Sequence, residues 1–132
     1  MHRLTGTALA LLLAIIAFAP VASASELLMF RRAGCPWCAT WDREVGPIYG
    51  RTEVGRNIPI RFVELGRAGD MQVALASPVR FTPTFVLVED GREVGRIEGY
   101  PGADFFWGLL EGLLQSPASK AGASAPRAGN NS

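Results

Sequence analysis

The sequence predicts a single small α/β domain with the element order β-α-β-α-β-β-α. Three observations carry that expectation. Apolar runs of strand length stand at Leu27–Phe30 and Thr84–Val88, and Ile58–Leu65 reads as a strand between them. A stripe at helical spacing joins Cys38, Trp41, Val45 and Ile48. An Asp90-Gly91 turn signal separates two strand-like segments. With 132 residues the chain has material for one core and no second domain.

The first strand, Leu27-Leu28-Met29-Phe30, stops at Arg31-Arg32-Ala33-Gly34. Cys35 follows, and Pro36 stands in the first helical turn, where its missing N–H leaves no bond unmade. The stripe from Cys38 to Ile48 is expected to face the core, and Gly46-Pro47 to kink or end this helix. Ile58 to Leu65 reads as the second strand, with Pro59 at its start, and Met71 to Ala76 as one or two helical turns. Thr84–Val88 has the composition of a central strand, and Asp90-Gly91 turns it into Arg92–Glu98. Val94 and Ile97 have opposite parity, which suggests a bulge or a close backbone approach at Gly95. From Pro101 onward, Phe106, Leu109, Leu110, Leu113 and Leu114 make a final amphipathic helix.

Both ends read differently. Arg3, the apolar run Ala8–Ala19, the breaker Pro20 and the small residues Ala22-Ser23-Ala24 form a secretory signal pattern, with cleavage expected after Ala24. The run is too short for a hydrocarbon core, which needs about 20 residues. Residues 1–24 are thus expected to be a signal peptide and 25–115 the folded domain. Ser116 to Ser132 has no aromatic or branched aliphatic residue and is expected to be a disordered tail. Gly50–Arg56 echoes Gly91–Arg96, but over too short a span to be an architectural repeat.

Composition removes several function classes. A formal net charge of +1 without a basic stripe gives no warrant for nucleic-acid binding. The one histidine is His2, inside the signal pattern, so a hydrolase with a histidine base is excluded, as is a four-ligand zinc site of cysteines and histidines. No cofactor is expected. What remains is two thiols, Cys35 and Cys38, in a chain addressed to a compartment where disulfides persist, a bacterial periplasm being the working assumption.

A strand running into Cys35-Pro36-Trp37-Cys38 at the opening of a helix is what a dithiol catalyst needs. Unpaired N–H groups and partial positive charge at a helix N-terminus stabilise a thiolate at Cys35, and the thiolate is the attacking form. Cys38, one turn on and on the core-facing stripe, is placed to resolve a mixed disulfide. An inert staple is the weak use of two such cysteines, because closing so short a loop contributes only about 2 kcal/mol in the chain-entropy model. The other alternative is Cu(I) held by the two thiols, with Met29 or Met71 assisting. Arg31 and Arg32 could add thiolate-stabilising potential or simply be solvated charges. Trp37 is expected to be exposed and to contact partner proteins, and Trp41 to belong to the core. Pro83, just before the central strand, cannot donate a ladder bond, and a cis bond there would leave the Thr82 backbone free to pair with an extended substrate segment.

Strand, Cys35-Pro36-Trp37-Cys38, kinked helix, strand, short helix, Thr82-Pro83, hairpin and C-terminal helix resemble the thioredoxin family over Glu26 to Gln115. The resemblance implies the minimal thioredoxin fold with a central mixed four-stranded sheet, a cis Pro83 packed beside Cys35, protein disulfides as substrates, and a substrate-binding surface of Pro36, Trp37, Thr82 and Pro83. Two departures stand out. Pro36-Trp37 replaces the Gly-Pro of ordinary thioredoxins, and Met29 stands where their buried carboxylate would be, so no proton acceptor for Cys38 is identified. Cys-Pro-x-Cys together with Glu98-Gly99-Tyr100-Pro101-Gly102 is similar to the periplasmic thioredoxin-like proteins of bacterial sulfur-oxidation clusters, the SoxS-like group. That narrower likeness implies a reductase acting on a disulfide-bearing exported protein such as a sulfur carrier, itself reduced by a membrane thiol carrier. A domain of this size has no room for the dimerisation or helical insertions of isomerases and strong oxidants, which favours a monomeric reductase over a disulfide oxidant.

Overall fold

The computed structural model describes residues 24–124, with side chains through 120; the expected signal peptide lies almost wholly outside the described residues. A four-stranded sheet is ordered β2-β1-β3-β4, with β1 (Ser25–Arg31), β2 (Ile60–Glu64), β3 (Thr84–Glu89) and β4 (Arg92–Glu98). β1 runs parallel to β2 and antiparallel to β3, and β3 antiparallel to β4, so the sheet is mixed. The helices are α1 (Pro36–Glu44), α2 (Gly46–Tyr49), α3 (Glu53–Asn57), α4 (Ala103–Leu114) and α5 (Pro117–Ser124). β1 and β3 are central and read as continuous apolar runs because both their faces are covered.

Alternation along the strands divides the core in two. Leu27, Met29, Phe85 and Leu87 face the helices, packing with Cys38, Trp41, Val45, Tyr49, Phe106 and Leu110. Leu28, Phe30, Val86 and Val88 face the other way, onto a layer of Leu65, Met71, Val73, Leu75 and Val79. That second layer overturns one expectation. Met71 to Ala76 is not helical: a 3-10 helix occupies Leu65–Asp70, and the following segment is extended, with Ala74 in a parallel bridge to Arg92. Met71, Val73 and Leu75 alternate, which is a strand period that closes the sheet face.

Two helical positions also differ. The break at Val45–Gly46 resets the helical phase, so Ile48 is 45% exposed and Tyr49 is buried in its place, its hydroxyl donating to the Ile58 carbonyl at 2.8 Å. Burial pushes the Tyr49 phenol well above its ordinary pKa. Leu109, expected on the buried stripe of the last helix, is 46% exposed, while Phe106 and Leu110 carry the contact. α3 was not foreseen in its short polar sequence. Its cap is Thr52, whose hydroxyl accepts from the Gly55 N–H at 3.0 Å, and any side chain at Gly55 would run into the Tyr49 carbonyl.

The β3–β4 turn has Asp90 at φ 50° and Gly91 at φ 75°, the mirror-image turn geometry that matches strand twist. The register shifts between Leu87 and Val88, leaving Val94 as the extra residue of a bulge. Beside it a Cβ on Gly95 would meet Leu113 of α4 at 2.6 Å, so the helix approaches the strand backbone closely. Past α4, the expectation of a structureless tail from Ser116 does not hold for Pro117–Ser124, which is helical. Apolar content alone was too narrow a criterion: buried Ser119 donates its hydroxyl to the Glu89 carboxylate at 2.6 Å and its N–H meets the Ser116 hydroxyl. Residues 125–132 lie outside the described residues.

The extended segment that leads to Pro83 is strapped to β4. The Glu93 carboxylate accepts from the Ala76 N–H at 2.7 Å and from Arg96, which also donates to the Ser77 carbonyl at 2.8 Å. Burial raises the Glu93 pKa, but the Arg96 and Ala76 bonds outweigh it, leaving the carboxyl below its ordinary value. Its stabilisation is therefore complete above the ordinary glutamate pKa of about 4.3 and lost as pH falls through the lower folded value. Glu93→Gln is expected to melt at lower temperature than the parent at neutral pH, the gap closing as the pH falls below the ordinary glutamate range and the folded carboxyl protonates. A gap independent of pH would refute this account of the strap.

Candidate functional site

The site sits at one end of the sheet. The register pairs Phe30 with Thr84, Thr84 with Glu98, and Arg31 with Glu64. The turn after β1, the segment before β3 and the chain leaving β4 therefore emerge at the same end. Cys35 is the N-cap of α1, with Pro36 in the first turn and no acidic residue there to offset the helix dipole. Gly34, at φ 75°, makes the turn that sets Cys35 at the helix start.

Cys35 and Cys38 form a disulfide, with Cα atoms 5.3 Å apart. The two sulfurs have unequal surroundings. Cys35 is partly exposed on the wall of a cleft of about 530 Å³, whereas Cys38 is 1% exposed within the core. The Cys38 N–H points at the Cys35 sulfur at 3.2 Å, so the helix start supplies a donor aimed where negative charge would develop on reduction.

The other site residues named from sequence divide into two groups. Pro36 and Trp37 are exposed, the indole by 60%. The Thr82–Pro83 bond is cis; Pro83 is buried, and its carbonyl accepts from the Gly99 N–H at 2.8 Å. Among the described residues nothing hydrogen-bonds to the Thr82 backbone, which stands half-buried beside Phe81, exposed by 61%. Phe81 was not singled out from sequence, and its place next to Thr82-Pro83 was the available signal.

Arg31 and Arg32 are less simple. Arg31 is held by partners: its guanidinium grips Asp42 of α1 with bonds of 3.0 and 2.6 Å, and its Cζ lies 5.1 Å from the Phe62 ring centroid. The Asp42 bonds hold its pKa above the ordinary arginine value against partial burial, and Glu64 adds to the effect. Arg32 is exposed and lines the Cys35 cleft together with Arg31 and Glu64. Asp42 and Glu64 escaped sequence reasoning because their meeting with Arg31 is made by tertiary packing rather than by spacing. Among the described residues no cluster of three or more His, Cys, Asp or Glu could hold a metal ion. Met29 is buried in the Cys38 cluster, but Met71 packs on the opposite face of the sheet.

The thioredoxin-like domain family matches residues 18–113. Comparison with curated proteins finds no match. Among solved structures, the reduced periplasmic thioredoxin SoxS from Paracoccus pantotrophus is similar at 46% identity and TM-score 0.67, over 69% of this chain and 96% of that one. A poplar thioredoxin h is similar in fold alone, at 17% identity and TM-score 0.51 over 88% and 95% of the two chains. So is thioredoxin-2 of a malaria parasite, at 15% identity and TM-score 0.50 over 71% and 87%.

Proposed function

The chain belongs to the thioredoxin-like domain family, and from that premise we propose that it works in the periplasm as a reductase of disulfides on one exported partner, a sulfur-carrier protein. Its general activity is thiol:disulfide exchange. The observation that supports attack by Cys35 and resolution by Cys38 is the inequality of the two sulfurs: Cys35 at a helix start, partly exposed and facing an N–H donor, and Cys38 buried behind it.

In the proposed cycle the Cys35 thiolate attacks one sulfur of the partner disulfide. That S–S bond breaks, a Cys35–partner disulfide forms, and the partner's other sulfur leaves as a thiolate that takes up a proton. Cys38 then attacks the Cys35 sulfur, closing the Cys35–Cys38 disulfide and releasing the second partner thiol. Two electrons pass to the partner, and a membrane thiol carrier supplies two more that reduce the Cys35–Cys38 disulfide again. Pro36, Trp37, Thr82 and Pro83 form the face that receives the partner, with the unpaired Thr82 backbone available to an extended segment.

The likeness to a protein described as a periplasmic thioredoxin supports the compartment. Export is proposed to remove residues 1–24, which leaves β1 whole because it starts at Ser25; intact-mass measurement of periplasmic protein checks this, and retention of the leader would refute it. Direction is tested by the equilibrium reduction potential of the Cys35/Cys38 couple. A value near about −270 mV is expected, whereas one near about −120 mV would make the protein an oxidant.

A further inference from the structure

We propose that Arg31 is a positioning residue whose charge, held between Asp42 and Glu64 on the wall of the Cys35 cleft, sets how readily Cys35 ionises. The inference rests on the reading of Cys35 as the attacking sulfur. Arg31 is the last residue of β1. Its two-pronged bond to Asp42 spans a separation of 11 residues and encloses the turn and both cysteines, tying strand to helix around them. From the other side the guanidinium lies against Phe62 of β2 and faces Glu64, its register partner. The Arg31 and Asp42 side chains are only 29% and 39% exposed, so solvent screens them less than an ordinary surface pair.

Three charged groups line this cleft, Arg31 from β1, Arg32 from the turn and Glu64 from β2, and Asp42 of α1 stands bonded to Arg31. Two cations face two carboxylates. Such a balanced set makes a signed prediction, because deleting one member leaves a net charge of known sign beside Cys35. Without the Arg31 charge two carboxylates outnumber Arg32, and the thiolate is disfavoured. Without the Asp42 charge two guanidinium groups outnumber Glu64, and the thiolate is favoured. Loss of the tether as a purely structural element would act alike in both cases.

The experiment uses the full chain, reduced, and follows the pH dependence of Cys35 alkylation by iodoacetamide together with the equilibrium constant against dithiothreitol. Arg31→Met is expected to lower the thiolate fraction at neutral pH about threefold or more, and Asp42→Asn to raise it by a similar factor. The dithiothreitol equilibrium is expected to move towards the disulfide in the first variant and towards the dithiol in the second. Arg31→Lys, which keeps the charge, is expected to stay near the parent. Should Arg31→Met fail to fold, the nearly isosteric Asp42→Asn decides by sign alone. Shifts in the same direction, or none while the parent alkylates at Cys35 normally, would overturn the role of Arg31. A parent whose Cys35 shows no preferential alkylation would instead refute the reading of Cys35 as nucleophile.

Discussion

Cys35→Ser is expected to abolish disulfide reduction, with turnover of a model protein disulfide falling at least about a thousandfold. The loss is large because the step needs a thiolate. A thiol of ordinary pKa, about 8.5, is already partly ionised near neutrality and further ionised at a helix start, whereas a serine hydroxyl at the same place stays protonated and makes no sulfur–sulfur bond. Cys38 does not substitute, because it is 1% exposed and packed among Leu27, Met29 and Trp41, where a partner disulfide has no approach. Fold is not at stake: the short disulfide contributes only about 2 kcal/mol in the chain-entropy model, and the hydroxyl can still cap α1. Insulin reduction with dithiothreitol as electron donor, together with thermal melting, checks both halves. Residual turnover within tenfold of the parent would place the attack elsewhere.

Cys38→Ser has the opposite signature. Attack is expected to proceed and the cycle to stop at the Cys35–partner disulfide, which then accumulates as a covalent adduct on non-reducing gels of a periplasmic extract. The adduct persists because the sulfur that would release it is absent from the one position, a turn along α1, that reaches Cys35. Mass spectrometry of the adduct names the partner. An adduct with a sulfur-carrier protein is the expected result; absence of any adduct, when the parent turns over, would contradict the two-step mechanism.

Much of this architecture was legible in single residues. Leu27–Phe30 and Thr84–Val88 are apolar without alternation, and both lie at the centre of the sheet with two covered faces. Asp90-Gly91 is a turn pair that tolerates positive φ, and the opposite parity of Val94 and Ile97 marked a real bulge with Leu113 pressed against Gly95. Where the reading failed, a local pattern was ambiguous. Met71–Ala76 is too short to reveal its period reliably, so a strand-like alternation passed for helical turns. Ile48 and Tyr49 are adjacent, and which of them is buried depended on how far Gly46-Pro47 rotates the helix. Ser119 carries no apolar signal, because a hydrogen bond to Glu89 from a distant strand holds it.

The chemistry was already written in the order of residues: two thiols at one-turn spacing after a strand, opened by a proline, in a chain whose one histidine lies outside the domain. Those properties belong to neighbouring residues and to the backbone geometry of a helix start, so they can be read along the chain. Which charges stand beside that pair was settled by packing in three dimensions. Arg31 and Arg32 are equivalent in sequence, yet one is gripped by Asp42 and covered by Phe62 while the other faces solvent. The electrostatic field at a sulfur depends on distances through space and on how far solvent is excluded, and the fold sets both when it brings β1, β2 and α1 together.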